Sequence, residues 1–212
     1  MWIFLWFVAS AFILGVFGWS LVILQQQKRA WSSFAQKHNL SYVPGKVVDA
    51  PAMKGAIYGY QVAFFPDYQA TQDVRNQRLI TTLEFDLGAP VYVRGIVSTA
   101  DYAGFVAEQD LNGSFEIDYP GWDKTRIVRS NQIERFQKYL TADRLEFLHS
   151  IMTMKNSTAL IYCDDDRVVL HIETTDPIRN AERFEKIVQK ITSSFARMKL
   201  TEEERAAFTS AA

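Results

Sequence analysis

The first two dozen residues of this chain lack any charged side chain, and that absence dictates much of the rest. From Trp2 to Leu24 only Ser10 and Ser20 interrupt a run of apolar residues and glycines. A core helix of a soluble protein keeps a polar face, so a run of this length without one argues against that origin. About 20 apolar residues cross the hydrocarbon core of a bilayer as a helix, and lipid accepts few other structures because every backbone polar group must be satisfied internally. The marks of a cleaved secretory signal are missing too. No Lys or Arg precedes the run, which exceeds the usual apolar core of about 7–15 residues. It ends in Gln25-Gln26-Gln27-Lys28-Arg29 and not in a small-residue cleavage site. The expectation is an uncleaved anchor over residues 1–24, in contact with the lipid bilayer.

Cysteine is nearly absent: Cys163 stands alone, which excludes an internal disulfide and fits a reducing compartment. An excess of basic charge is also lacking. The formal net charge is −1, and setting Lys28 and Arg29 aside leaves 21 basic against 24 acidic residues. Nucleic-acid binding needs concentrated Lys and Arg, and is excluded on that ground. A polybasic grip on anionic lipid takes a cluster of about four to eight and is excluded likewise. There is no phosphate-binding glycine loop, no dinucleotide fingerprint, no nucleophile elbow and no His-Glu-x-x-His. No cofactor is implied, and no residue is singled out as catalytic.

What is present begins with the flanks of the apolar run. Trp2 and Trp6 at one end and Trp19 at the other suit the two membrane interfaces. Lys28, Arg29 and Lys37 follow the run, so the positive-inside rule leaves the N-terminus outside and the bulk of the chain in the cytoplasm. Ala11 and Gly15 are four apart, with Gly18 on a nearby face, a spacing that lets membrane helices approach closely. It allows a homo-oligomer or a helix partner.

Trp31, Phe34, Ala35 and His38 continue at helical spacing, so residues 25–39 are expected to form a helical stalk whose apolar face rests on the domain. Residues 40–200 then read as one soluble α+β domain, with a short terminal helix or tail over 201–212. A short strand at Leu40 to Pro44, a hairpin over 55–65 with Gly59 free to turn or bulge, and strands at Arg78 to Asp86 and Val91 to Val97 predict an antiparallel meander of about four strands. A polar loop is expected over 67–77. Ser114 to Tyr119 alternates as a strand, and 101–111 fits a helix or a loop. Ile133, Phe136, Tyr139 and Leu140 mark a helix, Thr141 caps the next, and two strands surround Asp164-Asp165-Asp166. In the last main helix Asp176 is the expected cap, Pro177 occupies the first turn, and Ile178, Ala181, Phe184, Val188, Ile191, Phe195 and Met198 form one stripe. Thr201 with Glu204 resembles a capping box.

Asp164, Asp165 and Asp166 are the densest polar cluster and the weak candidates for a hard cation such as Ca²⁺ or Mg²⁺. Aspartate is equally a favoured turn residue between strands. His38, His149 and His171 are far apart with no second ligand at metal spacing, which favours ordinary packing. Cys163 lies in an apolar strand, where an inert thiol is expected.

Trp31-Ser-Ser-Phe-Ala after the anchor, the hairpin from Gly55 to Val62, Thr81-Thr-Leu and Leu140-Thr-Ala-Asp-Arg-Leu together resemble bacterial families in which one membrane helix carries an α+β domain. Those families have no assigned activity, so the resemblance implies a fold and a location at the bacterial inner membrane but carries no functional residue across. The reading is a membrane-anchored cytoplasmic binding or scaffold module, an accessory component of a membrane-associated protein complex. The alternative is a membrane-tethered enzyme acting on a small or lipidic substrate. The orientation is tested by fusing the C-terminus to one reporter active only in the cytoplasm and another active only outside. The cytoplasmic fusion is expected to be the active one.

Overall fold

The computed structural model describes residues 2–70 and 77–210. A single helix, α1, runs without a break from Trp2 to His38. It is the one described helix long and apolar enough to cross a membrane, and none of its most apolar stretch is buried. No break separates span from stalk, because Gln25 to Arg29 continues the helical backbone. The stalk then plunges into the domain: Gln27, Ala30, Trp31, Phe34 and Ala35 are all buried. Asn39 ends the helix in left-handed backbone (φ 58°). The Leu40 amide bonds the Ala35 carbonyl, and the Asn39 amide bonds that of Gln36. This is the double-bonded helix end in which Asn can stand in for Gly.

The domain is α+β. Its nine strands are β1 (Ser41–Val43), β2 (Ala52–Ile57), β3 (Tyr60–Ala70), β4 (Gln77–Asp86), β5 (Gly95–Ser98), β6 (Gly113–Ser114), β7 (Ile127–Ser130), β8 (Ser157–Cys163) and β9 (Val168–Thr174). They form one sheet in the order β1-β2-β3-β4-β9-β8-β5-β7-β6, every pair antiparallel. The helices after α1 are α2 (Ala103–Glu108), α3 (Ile133–Tyr139), α4 (Ala142–Met152), α5 (Ala181–Phe195) and α6 (Glu202–Ser210). The stalk and α3 to α6 contribute to one large core against a single sheet face, whose strands supply Val62, Phe64, Leu83, Phe85, Leu170, Ile172 and Ile161. Strand alternation puts their neighbours on the opposite face. A smaller cluster there joins Ile96, Val106, Leu111 and Leu160 under α2, leaving the middle of that face open.

The β2–β3 connection is a two-residue turn between the paired Ile57 and Tyr60. Tyr58 (φ 51°) and Gly59 (φ 85°) are both left-handed, as the tight hairpin turn matching strand twist requires. Gly55 is needed for another reason: a Cβ there would lie 2.7 Å from Leu40 Cδ2.

Four expectations need correction. The meander holds for β1 to β4, but the strand expected from Val91 to Val97 is reduced to β5 and does not join it. The β8–β9 hairpin takes the place beside β4, and Val91 and Tyr92 instead donate their amides to the Asp165 carbonyl. Ser114 to Tyr119 pairs only at Gly113 and Ser114; Phe115 and Ile117 pack on the core without ladder bonds. The partner strand, β7, escaped notice because its apolar pair Ile127-Val128 sits among polar residues. In the last main helix, Asp176 caps nothing helical. Its carboxylate accepts from the Ile178 amide, the residue before a proline being disfavoured in helical backbone. Asn180 is the true cap, accepting from the Arg183 amide at 2.9 Å, and Ile178 is buried before the helix in left-handed backbone (φ 50°). Of the expected loop over 67–77, Asp67 to Ala70 extends β3, and residues 71–76 lie outside the described residues. Thr141 does stand at the N-cap of α4, without a side-chain bond. The capping box is formed: Glu204 Oε2 accepts from the Thr201 amide at 2.9 Å, and Thr201 Oγ1 from that of Glu204 at 3.2 Å. The terminal helix it opens is docked by buried Phe208.

Phe34→Ala is expected to cost about 3–5 kcal/mol and Ile191→Ala about 2–5 kcal/mol, by lost burial and residual cavity. Gln36→Ala and Gln189→Ala, on the exposed faces of the same helices, are expected to cost about 0.5 kcal/mol or less. Denaturation midpoints of the full chain in detergent check the difference, and equal shifts would overturn the assignment of faces.

Candidate functional site

In the open middle of the sheet's second face, polar and apolar side chains converge on accessible space. Alternation along β9 aims Val169, His171 and Glu173 at it while Val168, Leu170 and Ile172 enter the core. Glu84 arrives from β4, opposite His171 in the strand register. Tyr102 and Phe105 come from the 3₁₀ turn Ala100–Tyr102 and α2, and Leu160 and Tyr162 from β8. Together with Arg167 these residues line a hollow of about 530 Å³. A second hollow of about 650 Å³ continues over Lys54, Gln61, Ala63 and Asp86, and the two share Glu84, Arg167 and Val169. The result is one shallow groove across β2, β3, β4 and β9.

At its centre His171 bridges two carboxylates. Nδ1 lies 3.0 Å from Glu84 Oε1, and Nε2 lies 3.2 Å from Glu173 Oε1. Two ionised carboxylates only accept, so both bonds form together only when the ring carries both protons. Burial alone would lower the pKa of His171, but the bonds to Glu173 and Glu84 outweigh it and push it up to about 9. The Tyr102 ring stands edge-on to the imidazole at 5.9 Å, and burial pushes the Tyr102 phenol far above its usual range. With both nitrogens occupied, His171 is a fixed cation and not a free base. Arg167 Nη1 stands 3.8 Å from Asp86 Oδ2, so the rim carries both signs of charge beside the apolar Phe105 and Val169.

Apart from His171, the residues singled out from sequence scatter elsewhere. Asp164, Asp165 and Asp166 turn the chain between β8 and β9. The Asp164 carboxylate accepts from the Asp165 amide and the Tyr162 hydroxyl. Among the described residues, no group of three or more His, Cys, Asp or Glu side chains is arranged to hold a metal ion. Cys163 is wholly buried, and desolvation pushes its thiol up to about 12, which leaves almost no thiolate at neutral pH. His149 meets Arg126 and the Tyr119 ring. His38 packs on Phe34 and bonds Glu185 at 2.8 Å. On the span, Trp2, Trp6 and Trp19 are exposed, and open space surrounds Gly15 and Gly18 near Ala11. Lys28 and Arg29 sit past the end of the apolar run, where Lys28 Nζ reaches the Lys46 carbonyl. Glu84, Glu173, Tyr102, Phe105 and Arg167 were not expected at a site. Glu84 and Glu173 leave as their trace the polar half of strand alternation, which any solvated sheet face shares, and Tyr102, Phe105 and Arg167 lie outside the strands and leave none. No protein-family model, curated protein or solved structure matches this chain.

A histidine whose folded pKa exceeds its unfolded value stabilises the fold in full below the unfolded value and loses that contribution as pH rises through the folded one. For His171 the window runs from pH 6.5 to about 9, and the contribution is on the order of 3 kcal/mol at 1.36 kcal/mol per pH unit. Thermal melts of the wild type across this window are expected to fall, and those of His171→Gln to stay flat. Parallel slopes would mean that the bridge is absent in solution.

Proposed function

We propose that this protein is a membrane-anchored binding module, a cytoplasmic α+β domain held beside the bilayer and offering its groove to a membrane-associated protein partner. The observation that carries the reading is the uninterrupted helix joining the apolar span to the domain core. Trp31 and Phe34 are each 1% exposed, so the domain is fixed rigidly to the helix that continues the span and does not hang on a loose tether. Confinement to a layer near the membrane raises the effective concentration for any partner in that membrane, and a shallow groove of mixed charge then suffices. The basic residues Lys28, Arg29 and Lys37 support the cytoplasmic side, and the resemblance to single-helix bacterial proteins supports the inner membrane. Binding is favoured over catalysis because the most polar point of the groove, His171, is tied at both nitrogens.

The test is photo-crosslinking in living cells from the full chain carrying a photoreactive residue in place of Phe105, which is 46% exposed. One discrete membrane-protein adduct is expected, lost when residues 2–24 are deleted. In cells lacking the chain, the deletion is expected to fail to restore function, whereas a folded His171→Gln protein retains it. A folded His171→Gln protein as inactive as the deletion would instead favour the membrane-tethered enzyme.

A further inference from the structure

The β1–β2 connection lies at the same end of the domain as the apolar span. The stalk rises from Lys28 to His38, the chain reverses at Asn39, and β1 runs back down beside it. Two contacts fix the return. The Tyr42 hydroxyl donates to the Lys28 carbonyl at 3.1 Å, and Lys28 Nζ donates to the Lys46 carbonyl at 2.5 Å. At the far end of the stalk, Tyr58 packs on His38, so the sheet runs away from the span while the loop between Val43 and Ala52 points back toward it. Lys28 is four residues past Leu24, about 6 Å along the helix axis. A bilayer of about 30 Å hydrocarbon and 40–45 Å in all has headgroups at that depth.

The loop's chemistry does not suit water. Lys46 to Asp49 closes as a turn, the Asp49 amide donating to the Lys46 carbonyl at 3.2 Å. Its two central residues are Val47 and Val48, 73% and 63% exposed. Turn centres favour Gly, Pro, Asn and Asp, for reasons of backbone freedom and local hydrogen bonding. Two β-branched apolar residues there gain nothing in the fold, because the domain does not cover them. Val43, 58% exposed, adds a third apolar side chain at the strand end. Lys28, whose Nζ reaches the Lys46 carbonyl, and Lys46 bring positive charge to the turn, beside the Asp49 carboxylate that accepts from the Lys46 amide; Arg29 follows Lys28 on the helix, exposed.

We propose that this turn is a second membrane contact, inserting Val47 and Val48 into the headgroup boundary of the leaflet from which the stalk emerges, with Lys28, Arg29 and Lys46 facing lipid phosphates. The inference rests on the membrane-anchor reading. The turn and the stalk then meet the bilayer at separate points, which fixes both tilt and rotation of the domain. A single helix alone fixes neither.

The test uses the full chain in vesicles of phosphatidylcholine and phosphatidylglycerol at three to one, with a nitroxide on Val47→Cys, Val48→Cys, Leu14→Cys or Tyr58→Cys. Native Cys163 is wholly buried and does not compete for the label. Accessibility to oxygen, which partitions into lipid, is compared with accessibility to a water-soluble nickel chelate. Labels at 47 and 48 are expected to resemble the one in the span at 14, with nickel accessibility several-fold below that at Tyr58. If label 14 reports lipid while 47 and 48 match Tyr58, the turn stands in water; the proposal fails and the anchor remains. If 47 and 48 are shielded from both reagents, a protein covers the turn and the lipid proposal fails. If label 14 itself reports water, the anchor and the inference fall together.

Discussion

The packing of the stalk's aromatic residues on α5 is the constraint on which the rest of the structure depends. Phe34 stacks on Phe184 with ring centroids 4.4 Å apart and planes 16° from parallel. Trp31 and Phe64 close on the same Phe184 ring at 5.4 and 5.3 Å. Aromatic side chains bury large areas, and their offset and tilted contacts add to the area term. One cluster therefore joins the helix that leaves the domain, strand β3 and the helix that covers it. Glu185, one residue on, closes the rim of this joint. It takes hydrogen bonds from His38 and Tyr58 at 2.8 Å each, with Lys37 at 3.1 Å. Burial alone would raise its pKa, but these three partners hold it below the usual carboxylate range.

A second joint gathers the C-terminal elements around a buried charge. Arg144 has a side chain 3% exposed, a position that would be costly unless every donor found a partner. All do. Its guanidinium forks onto both Glu204 oxygens at 2.8 and 2.6 Å, and donates to the carbonyls of Tyr139, Arg197 and Lys199. It also lies over the Tyr139 ring. Those carbonyls stand at the ends of α3 and of a 3₁₀ turn, Ala196–Met198, that follows α5, where helical backbone leaves acceptors without internal partners. One arginine thus satisfies three carbonyls at two helical ends and draws the capping-box glutamate of α6 onto the core.

What the sequence made legible was whatever one element determines by itself. The apolar run, the stalk face with Trp31 and Phe34, the stripe from Phe184 to Phe195 and the capping box at Thr201 all rest on spacings within a few residues. The tight turn at Gly59 belongs with them. What it hid was pairing at a distance. Nothing local says that β9 inserts beside β4, or that Glu84 meets His171 at a separation of 87 residues. Arg144 was invisible for the same reason, since an arginine in a helix pattern reads as solvated until the elements that bury it are in place. Ile178 and Asp176 misled because Pro177 counts equally as a helix start and as a stop, and only the side chain of Asn180 settles which.

The two faces of the sheet divide the molecule's tasks. The stalk packs on one face, so the groove on the other looks away from the axis of α1. With the span in a bilayer, that axis runs across the membrane and the groove faces sideways, along the membrane plane. On the proposed reading, a partner held in the same membrane would meet it by lateral diffusion, in an orientation that both anchors already restrict. The entropy of orienting two proteins, a substantial cost of association in solution, is largely removed beforehand. A fixed imidazolium between two carboxylates suits such a surface better than a mobile base would. The imidazolium keeps its charge across ordinary pH, because the bonds to Glu84 and Glu173 raise its pKa to about 9.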